Sequence, residues 1–533
     1  MTDDPVRTAA RLGALRTRGQ TYAFLAGVVC TMLVTALAIP FIAGSRTTAG
    51  GPISGTATFE TVPPSGRSGL DALGDAPSTT ILPDGTTAAV AADGSILSTS
   101  ALKGSTPNSQ GGSALAGRPG ASPAPRSPTE STIALRASDQ GVTPSRIKVG
   151  AIVTDLGGTS SLGFKPTGYD PDTQKKYFQA QIDDLNTHGG LLGRQIDIVY
   201  KTVDILSQDS MRTACAALAD DEKVFAVLHV LGVYGDPILC FTQQKGLPYV
   251  AFDGASSDYY GRSGGLLVTT QPSTKRTSLD MARRLFAAGA LTGKKIGILR
   301  YAEYLDGDMT ALIDYTRSLG LDVTDAVISI SNTGAVPGQL AVAVNRFQTA
   351  GVGMVFLMTN TLYGQQFVSQ ADRQQFYPAY GVSDFDYASA GNTFVSGMPD
   401  AFFKSAAYLV TSTRTGDDTF EAPVDKACTA IGSAAAAKPL TPKDGDFYGY
   451  LGACGVFRTF VQGVSRAGMN PTRAAFAKAV QTVGTYPNPG FAESSLATGK
   501  LGAGSAVRID RADITCKCWR VVSSYEATGF KGS

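Results

Sequence analysis

The feature that most constrains this chain is an alternation of short apolar runs with amphipathic stretches, which begins near Ile147. Apolar residues with helical spacing, such as Phe178, Ile182 and Leu185, lie between the runs. Strands that alternate with helices form a parallel sheet with helices on both faces. We therefore predict a doubly wound α/β unit whose strands are residues 147–153, 195–200, 224–228 and 247–252.

The same alternation starts again after residue 270, which predicts a second doubly wound unit. Its predicted strands are residues 294–300, 322–330, 353–358 and 378–382. Two longer helices and a shorter one follow from Glu421, and the chain ends in strand-like segments at 504–510 and 514–522. We therefore expect an α/β protein with two parallel-sheet lobes.

An uncharged run at residues 22–43 is long enough to cross a hydrocarbon core as a helix. Four arginines occur in residues 1–21, and positive charge stays on the cytoplasmic side of a membrane. We expect a single-pass anchor in the cell membrane, with the rest of the chain extracytoplasmic. A cleaved signal peptide remains the alternative. Cys30 lies within this run after Val29, which does not fit a lipidation motif.

Residues 44–143 are rich in Gly, Ser, Thr, Pro and Ala and poor in aromatic residues. Such a segment cannot bury enough apolar surface to offset the entropy lost on ordering. We predict a disordered linker. As a random coil it would span on the order of 55 Å, which suits a tether through a cell-wall layer.

Composition excludes several classes of function. The net charge is +2 and only 17% of residues are charged, which argues against a nucleic-acid-binding surface. His188 and His229 are the two histidines, so a histidine triad or multi-histidine metal site is hard to build. No HExxH or GxxxxGK[ST] pattern occurs. We therefore expect neither an enzyme nor a bound cofactor.

Six cysteines lie outside the apolar run, an even number as disulfides require. A metal site is the alternative, although no CxxC pair occurs. The first two lie on successive predicted helices beside strand 224–228, so we predict that they are bonded. The next two are the second choice, and the last two remain as a tight CxC ring. The pairs are Cys215 with Cys240, Cys428 with Cys454, and Cys516 with Cys518.

Several motifs in order resemble the type I periplasmic binding proteins of the leucine/isoleucine/valine-binding branch. They are IDDLNTHGGLLGRQIDIVYKTVD, KGLPYVAFDGASSDYY, KKIGILRYAEYLDG and the closing helices and strands. The resemblance covers about residues 146–522 and implies two lobes joined by a multi-strand hinge around a ligand cleft. It places lobe 1 at 144–270, completed by about 413–485, and lobe 2 at 271–412, completed by about 486–533.

The resemblance also implies ligand-binding positions. The family's carboxylate-binding loops fall at residues 229–236 and 253–257, where Gly232, Tyr234 and Ser256 stand. Ser256 would contact a ligand carboxylate through its hydroxyl, and it could equally be a helix N-cap. Tyr304 matches the tyrosine of lobe 2 that covers the ligand.

Four further positions depart from the family pattern. Asn360 and Thr361 stand where an aromatic contact is usual, which implies a different ligand surface. Ser383 stands where the family's amino-acid binders place a carboxylate for the ligand ammonium, and Asp384 follows it. We expect Asp384 to bind a cationic group of the ligand, with a helix N-cap as the alternative.

The loop with Phe164, Lys165 and Tyr169 either shapes the pocket or is a surface insertion.

These observations predict a protein that captures a small polar, amino-acid-like solute and delivers it to an ABC transporter. Its partners would be a permease and an ATPase. The alternative is a sensing ectodomain of the same fold, with a signalling partner in place of the transporter.

Overall fold

The computed structural model describes residues 78–81, 87–90, 133–162, 169–231, 235–385 and 394–532. The predicted membrane segment 22–43 and most of the predicted linker lie outside these residues. Within the described ranges, no helix is long and apolar enough to cross a membrane. Two short strands occur in the predicted linker, β1 (Ser78–Ile81) and β2 (Thr87–Val90), and they pair antiparallel.

The first large sheet has five parallel strands in the order β4-β3-β5-β6-β7. They are β3 (Arg146–Asp155), β4 (Gln195–Asp204), β5 (Ala226–His229), β6 (Tyr249–Ala251) and β7 (Leu267–Thr269). The connecting helices are α1 (Pro171–Thr187), α2 (Gln208–Ala216), α3 (Pro237–Leu239) and α4 (Ser257–Arg262). A π-helical turn continues each of α2 and α3.

The second sheet repeats this plan with the parallel order β9-β8-β10-β11-β12. Its strands are β8 (Lys295–Tyr301), β9 (Val323–Ile328), β10 (Val352–Met358), β11 (Ala379–Ser383) and β12 (Ala407–Thr411). The helices that accompany it are α5 (Thr274–Ala287), α6 (Asp306–Ser318), α7 (Val336–Thr349) and α8 (Thr361–Arg373). The prediction of an α/β chain with parallel sheets is confirmed.

The last part of the chain adds three helices, a small hairpin and further strands of the second sheet. Helices α9 (Pro423–Ala436), α10 (Phe447–Ala467) and α11 (Arg473–Ala479) precede a small hairpin of β13 (Gly484–Thr485) and β14 (Ser495–Leu496). Strand β15 (Ala506–Asp513) then joins β12 antiparallel, and β16 (Cys518–Val521) and β17 (Glu526–Ala527) pair with β15.

Two separate hydrophobic cores form around the two sheets. The core of the first sheet includes α9, α10 and residues as far as Ala503, and the core of the second includes β15 and Trp519. We call these bodies lobe 1 and lobe 2. The sequence predicted that residues 413–485 complete lobe 1. In the structure, the first core extends beyond residue 485. Each lobe is therefore assembled from two separated stretches of chain.

The chain crosses between the lobes at residues 270–273, 412–422 and 503–505. Bridges join Thr269 to Gly502 and Thr413 to Phe491. The buried Arg276 guanidinium donates hydrogen bonds to the Gly502 and Gly504 carbonyls, both at 2.8 Å. A Cβ at Gly502 would lie 2.7 Å from the Ser273 nitrogen, so a larger residue would push these segments apart. The hinge is therefore held by close backbone approaches and by the Arg276 side chain.

Residues 136–143, the last part of the predicted linker, pack on lobe 1. The Asp139 carboxylate accepts a hydrogen bond from the Arg473 N–H at 2.7 Å, at the start of α11. The buried Arg194 side chain donates to the carbonyls of Thr143 and Met469 at 2.7 and 2.6 Å. The folded body therefore begins before residue 144.

Three disulfides are present in the described residues, and they join the pairs considered from the sequence. Cys428 and Cys454 are both buried and link α9 to α10. Cys215 at the end of α2 is buried and bonds to Cys240 after α3. Cys516 and Cys518 close a small ring before and at the start of β16, where Cys516 is exposed.

Candidate functional site

A cavity of about 700 Å³ lies between the two lobes, beyond the carboxyl ends of the strands of both sheets. In each sheet the first strand lies between the second and the third, so the connections leave it in opposite directions. Loops that diverge at such a point leave a crevice, which is where open α/β sheets bind ligands. The loops after β3, β4, β5 and β6 form one wall, and those after β8, β9 and β10 form the other.

The wall from lobe 1 is supported by buried polar side chains. Gln174 in α1 accepts a hydrogen bond from the Thr154 N–H at 2.8 Å and donates one to the Tyr169 carbonyl at 2.5 Å. These bonds hold Tyr169, which lines the cavity, against the end of β3. Behind the wall, His229 is fixed between Thr154 and Tyr249, with ring nitrogens 3.0 and 2.8 Å from their hydroxyl oxygens.

Packed tyrosine rings support the wall from lobe 2. The rings of Tyr301 and Tyr304 stack with centroids 4.8 Å apart, and Tyr363 meets Tyr301 edge-on at 6.4 Å. The Asn360 N–H donates to the Tyr301 hydroxyl at 2.6 Å, and its side-chain oxygen caps α8 by accepting from the Tyr363 N–H at 2.9 Å. Tyr304, Asn360, Thr361 and Tyr363 all line the cavity. The positions of Tyr304, Asn360 and Tyr363 are thus set by a connected network.

Acidic side chains outnumber basic ones among the described residues that line the cavity. Four carboxylates lie there, from Asp209, Asp236, Asp253 and Glu303, against the single guanidinium of Arg212. Arg212 is paired with Asp209 at 2.7 Å and is more than half exposed. Burial acts to raise the pKa of Glu303, but hydrogen bonds from the Ser329 hydroxyl and the Ser331 N–H outweigh it and lower this pKa. The wall at Glu303 therefore carries a negative charge at neutral pH.

A hydrogen-bonded contact also joins the two lobes, at residues that do not line the cavity. Asp308, in the first turn of α6, accepts a hydrogen bond from the Ser257 N–H at 3.1 Å and another from the Ser257 hydroxyl. The Ser256 hydroxyl is a third hydrogen-bond partner of this carboxylate. Asp308 is 1% exposed. Burial raises the pKa of Asp308, and the bonds from Ser257 and Ser256 act against that shift.

Comparison with known proteins bears on the fold. No family model matches the sequence, and no curated protein matches it. Among solved structures, the chain is similar to a fatty acid ABC transporter substrate-binding protein from Thermomonospora curvata. The two chains are 15% identical, with a TM-score of 0.55, and the match covers 73% of this chain and 94% of that one. It is also similar to a leucine binding protein from Thermotoga maritima, with 15% identity and a TM-score of 0.53, over 72% and 97% of the two chains. The chain has the type I periplasmic binding-protein fold.

A third structure with this fold is a solute binding protein of an ABC transporter from Rhodopseudomonas palustris in complex with 3,4-dihydroxybenzoic acid. It is 14% identical, with a TM-score of 0.53, over 72% of this chain and 98% of that one. Identities at this level establish the type I periplasmic binding-protein fold, and the ligand has to be inferred from the residues of this chain.

Within this fold, the structure brings some of the sequence-derived positions to the cavity and not others. Tyr304, Asn360 and Thr361 line it, and so does Tyr169 from the long first loop. Ser256 is buried at the N-terminus of α4 and does not line it. Gly232 and Tyr234, and Phe164 and Lys165 of the first loop, lie outside the described residues.

Asp384 was expected to face the ligand, but it is 1% exposed and forms hydrogen bonds with Ser412 of the hinge. Its carboxylate accepts hydrogen bonds from the Thr411 hydroxyl at 2.5 Å, the Ser412 N–H at 2.6 Å and the Ser412 hydroxyl at 2.5 Å. Ser383 is fully buried in β11 and accepts from the Phe385 N–H at 3.4 Å. Neither residue lines the cavity, and Asp384 joins the ends of β11 and β12 instead.

Several cavity residues were not identified from the sequence. Asp253 and Asp236 lie inside loops that were singled out, and Glu303 immediately precedes Tyr304. Leu206, in the loop after β4, and Ile330, in the loop after β9, also line the cavity. Both loops follow predicted strands, and this position could have identified them as cavity residues. The described residues contain no cluster of His, Cys, Asp and Glu that could hold a metal ion.

Proposed function

We propose that this chain is an extracytoplasmic solute-binding protein that captures a small polar molecule between its lobes and delivers it to an ABC transporter. The observation that carries the proposal is the cavity of about 700 Å³ at the topological switch points of both sheets. A solute held there touches both lobes, so binding would favour the closed arrangement.

The comparisons add support for binding rather than catalysis. The solved structures with this fold are described as substrate-binding or solute-binding proteins of ABC transporters and as a leucine binding protein. Their named solutes are a fatty acid, 3,4-dihydroxybenzoic acid and leucine, which differ widely. They support a solute-binding role and leave the particular ligand open. A membrane anchor at residues 22–43 would keep the lobes extracytoplasmic and near a permease.

The test is a binding screen with a blocked cavity. Purified full-length protein is titrated by calorimetry with a panel of small metabolites, together with Leu206→Trp and Val342→Trp variants. Leu206 lines the cavity and is 42% exposed, so a larger ring can fill the space without disturbing a core. Val342 is 68% exposed on α7 and does not line the cavity, which makes it the matched control.

We expect Leu206→Trp to weaken binding by about tenfold or more, which corresponds to ~1.4 kcal/mol, while Val342→Trp binds like the wild type. A ligand bound equally by all three proteins would place its site elsewhere and contradict the proposal. Delivery to a transporter is then tested by uptake of the identified solute in cells with and without this chain. Unchanged uptake would favour the sensing role instead.

A further inference from the structure

The three disulfides differ in how far the protein shields them from solvent. In the two disulfides of lobe 1, three of the four cysteines are 0–1% exposed and the fourth, Cys240, is partly buried. Cys516 is exposed and Cys518 is partly buried, at the turn that joins β15 to β16. A thiolate has to reach a disulfide sulfur before it can react. Among the described residues, the Cys516–Cys518 bond is therefore the disulfide most open to attack.

The turn around this bond is also held by contacts that do not depend on it. The Asp513 carboxylate accepts hydrogen bonds from the Thr515 N–H at 2.8 Å and from the Thr515 hydroxyl at 2.6 Å. Asp513 is also the partner of Cys518 in the ladder between β15 and β16. The next residue, Trp519, is 1% exposed and belongs to the core of lobe 2. The hairpin should therefore keep its shape when the bond is broken.

Two free thiols in this hairpin would stay close together. The Cα atoms of Cys516 and Cys518 are 5.2 Å apart, which is a distance that a disulfide spans. The bond also bridges only 2 residues of chain, so it adds little to the stability of the fold. Exposed disulfides of this kind exchange with thiols, whereas buried ones hold a fold together. The bond can thus open and close while the lobe remains folded.

We propose that Cys516–Cys518 is a thiol–disulfide exchange site that accepts two electrons from a dithiol, an activity separate from solute binding. One thiolate of the dithiol attacks the exposed Cys516 sulfur, the S–S bond breaks, and the Cys518 sulfur leaves as a thiolate that takes up a proton. The second thiolate of the dithiol then attacks its own sulfur in the mixed disulfide, and Cys516 is released. The dithiol is oxidised to a disulfide, and the two cysteines are reduced to thiols.

The first test is the redox equilibrium of the folded full-length protein. Every protein carries Cys30→Ser, because Cys30 is the one cysteine outside the three pairs and would add a free thiol. The ratio of reduced to oxidised dithiothreitol is varied, free thiols are alkylated, and the cysteines are mapped by mass spectrometry. Cys516 and Cys518 should open at a ratio at least about tenfold lower than the other pairs, with unchanged near-ultraviolet circular dichroism. Opening of all three pairs together would overturn the proposal.

Single-cysteine variants test which sulfur is attacked. Cys518→Ser leaves the exposed Cys516 thiol, which should form a lasting mixed disulfide with glutathione disulfide. Cys516→Ser leaves the less exposed Cys518 thiol, which should react at least about threefold more slowly. Faster reaction of Cys518 would overturn the assignment of Cys516 as the attacked sulfur.

Turnover tests the activity itself, with a peptide that carries two cysteines as electron donor and glutathione disulfide as final acceptor. The protein should speed oxidation of the peptide at least about tenfold, and Cys516→Ser/Cys518→Ser should abolish this effect. Arg511→Ser, at an exposed position in the same hairpin, is the matched control and should retain it. Dithiothreitol in place of the peptide tests a small dithiol, and oxidation of dithiothreitol alone would identify small thiols as the donors. No acceleration with either donor would overturn the proposal.

Discussion

The Ser257 N–H of lobe 1 donates a hydrogen bond across the cleft to Asp308 of lobe 2, with 3.1 Å between nitrogen and Oδ2. The two residues are 51 positions apart in the sequence, and their contact brings the start of α4 against the first turn of α6. One carboxylate therefore joins the two lobes.

The role of Asp384 can be tested through stability. Asp384→Ala leaves the Ser412 N–H and the hydroxyls of Thr411 and Ser412 without this buried acceptor, so the free energy of unfolding should fall by about 2–5 kcal/mol. Chemical denaturation measures this change. Asp400→Ala, at a site that is 73% exposed, is the control and should cost less than about 1 kcal/mol. Equal, small losses in both variants would mean that Asp384 does not hold the hinge.

The disulfides should differ in their contribution to stability. In the chain-entropy view, the Cys428–Cys454 bond closes a loop of 26 residues and should stabilise the fold by about 3 kcal/mol. The Cys516–Cys518 bond spans only 2 residues, so the same relation gives about half that value or less. Denaturation of the two double-alanine variants compares them. A larger loss for the Cys516/Cys518 variant would contradict this account.

His229 should make the stability depend on pH. Burial lowers the pKa of His229 to about 3, from an ordinary value of 6.5. The unfolded chain binds a proton near pH 6.5, whereas the folded chain does so only near the lower value. The stabilisation is therefore complete above pH 6.5 and is lost as the pH falls from there toward about 3.

Unfolding free energies measured at several pH values check this prediction. His229→Gln should remove a slope of up to about 1.4 kcal/mol per pH unit between pH 6 and 4. His188→Gln is the control, because His188 lies exposed in the turn after α1. A wild-type slope in His229→Gln would show that other groups cause the dependence.

The fold could be predicted from the sequence because eight parallel strands are apolar runs separated by helical patterns. Strands β7 and β12 were missed. β7 has only 3 residues and follows a glycine-containing turn, and the 5 residues of β12 follow a long irregular stretch. Neither strand is preceded by a predicted helix, so the strand–helix alternation that identified the similarly short β5, β6 and β11 gave no signal for them.

The missed strand also explains the altered role of Asp384. Its hydrogen-bond partners are Thr411 at the end of β12 and Ser412 just beyond it. Because β12 was not predicted, these partners were not recognised, and the carboxylate was expected to bind a ligand. The family resemblance placed Tyr304 and Asn360 at the cleft, and both line the cavity. The contact of Asp308 with Ser257 depends on the distance between the lobes, which no local pattern encodes.

A crystal structure of the full-length protein with the tightest-binding solute of the metabolite panel tests the central claim most directly. The account predicts electron density for the solute in the cavity, in contact with residues of both lobes such as Tyr169 and Tyr304. Density outside the cavity, or contact with one lobe alone, would contradict it.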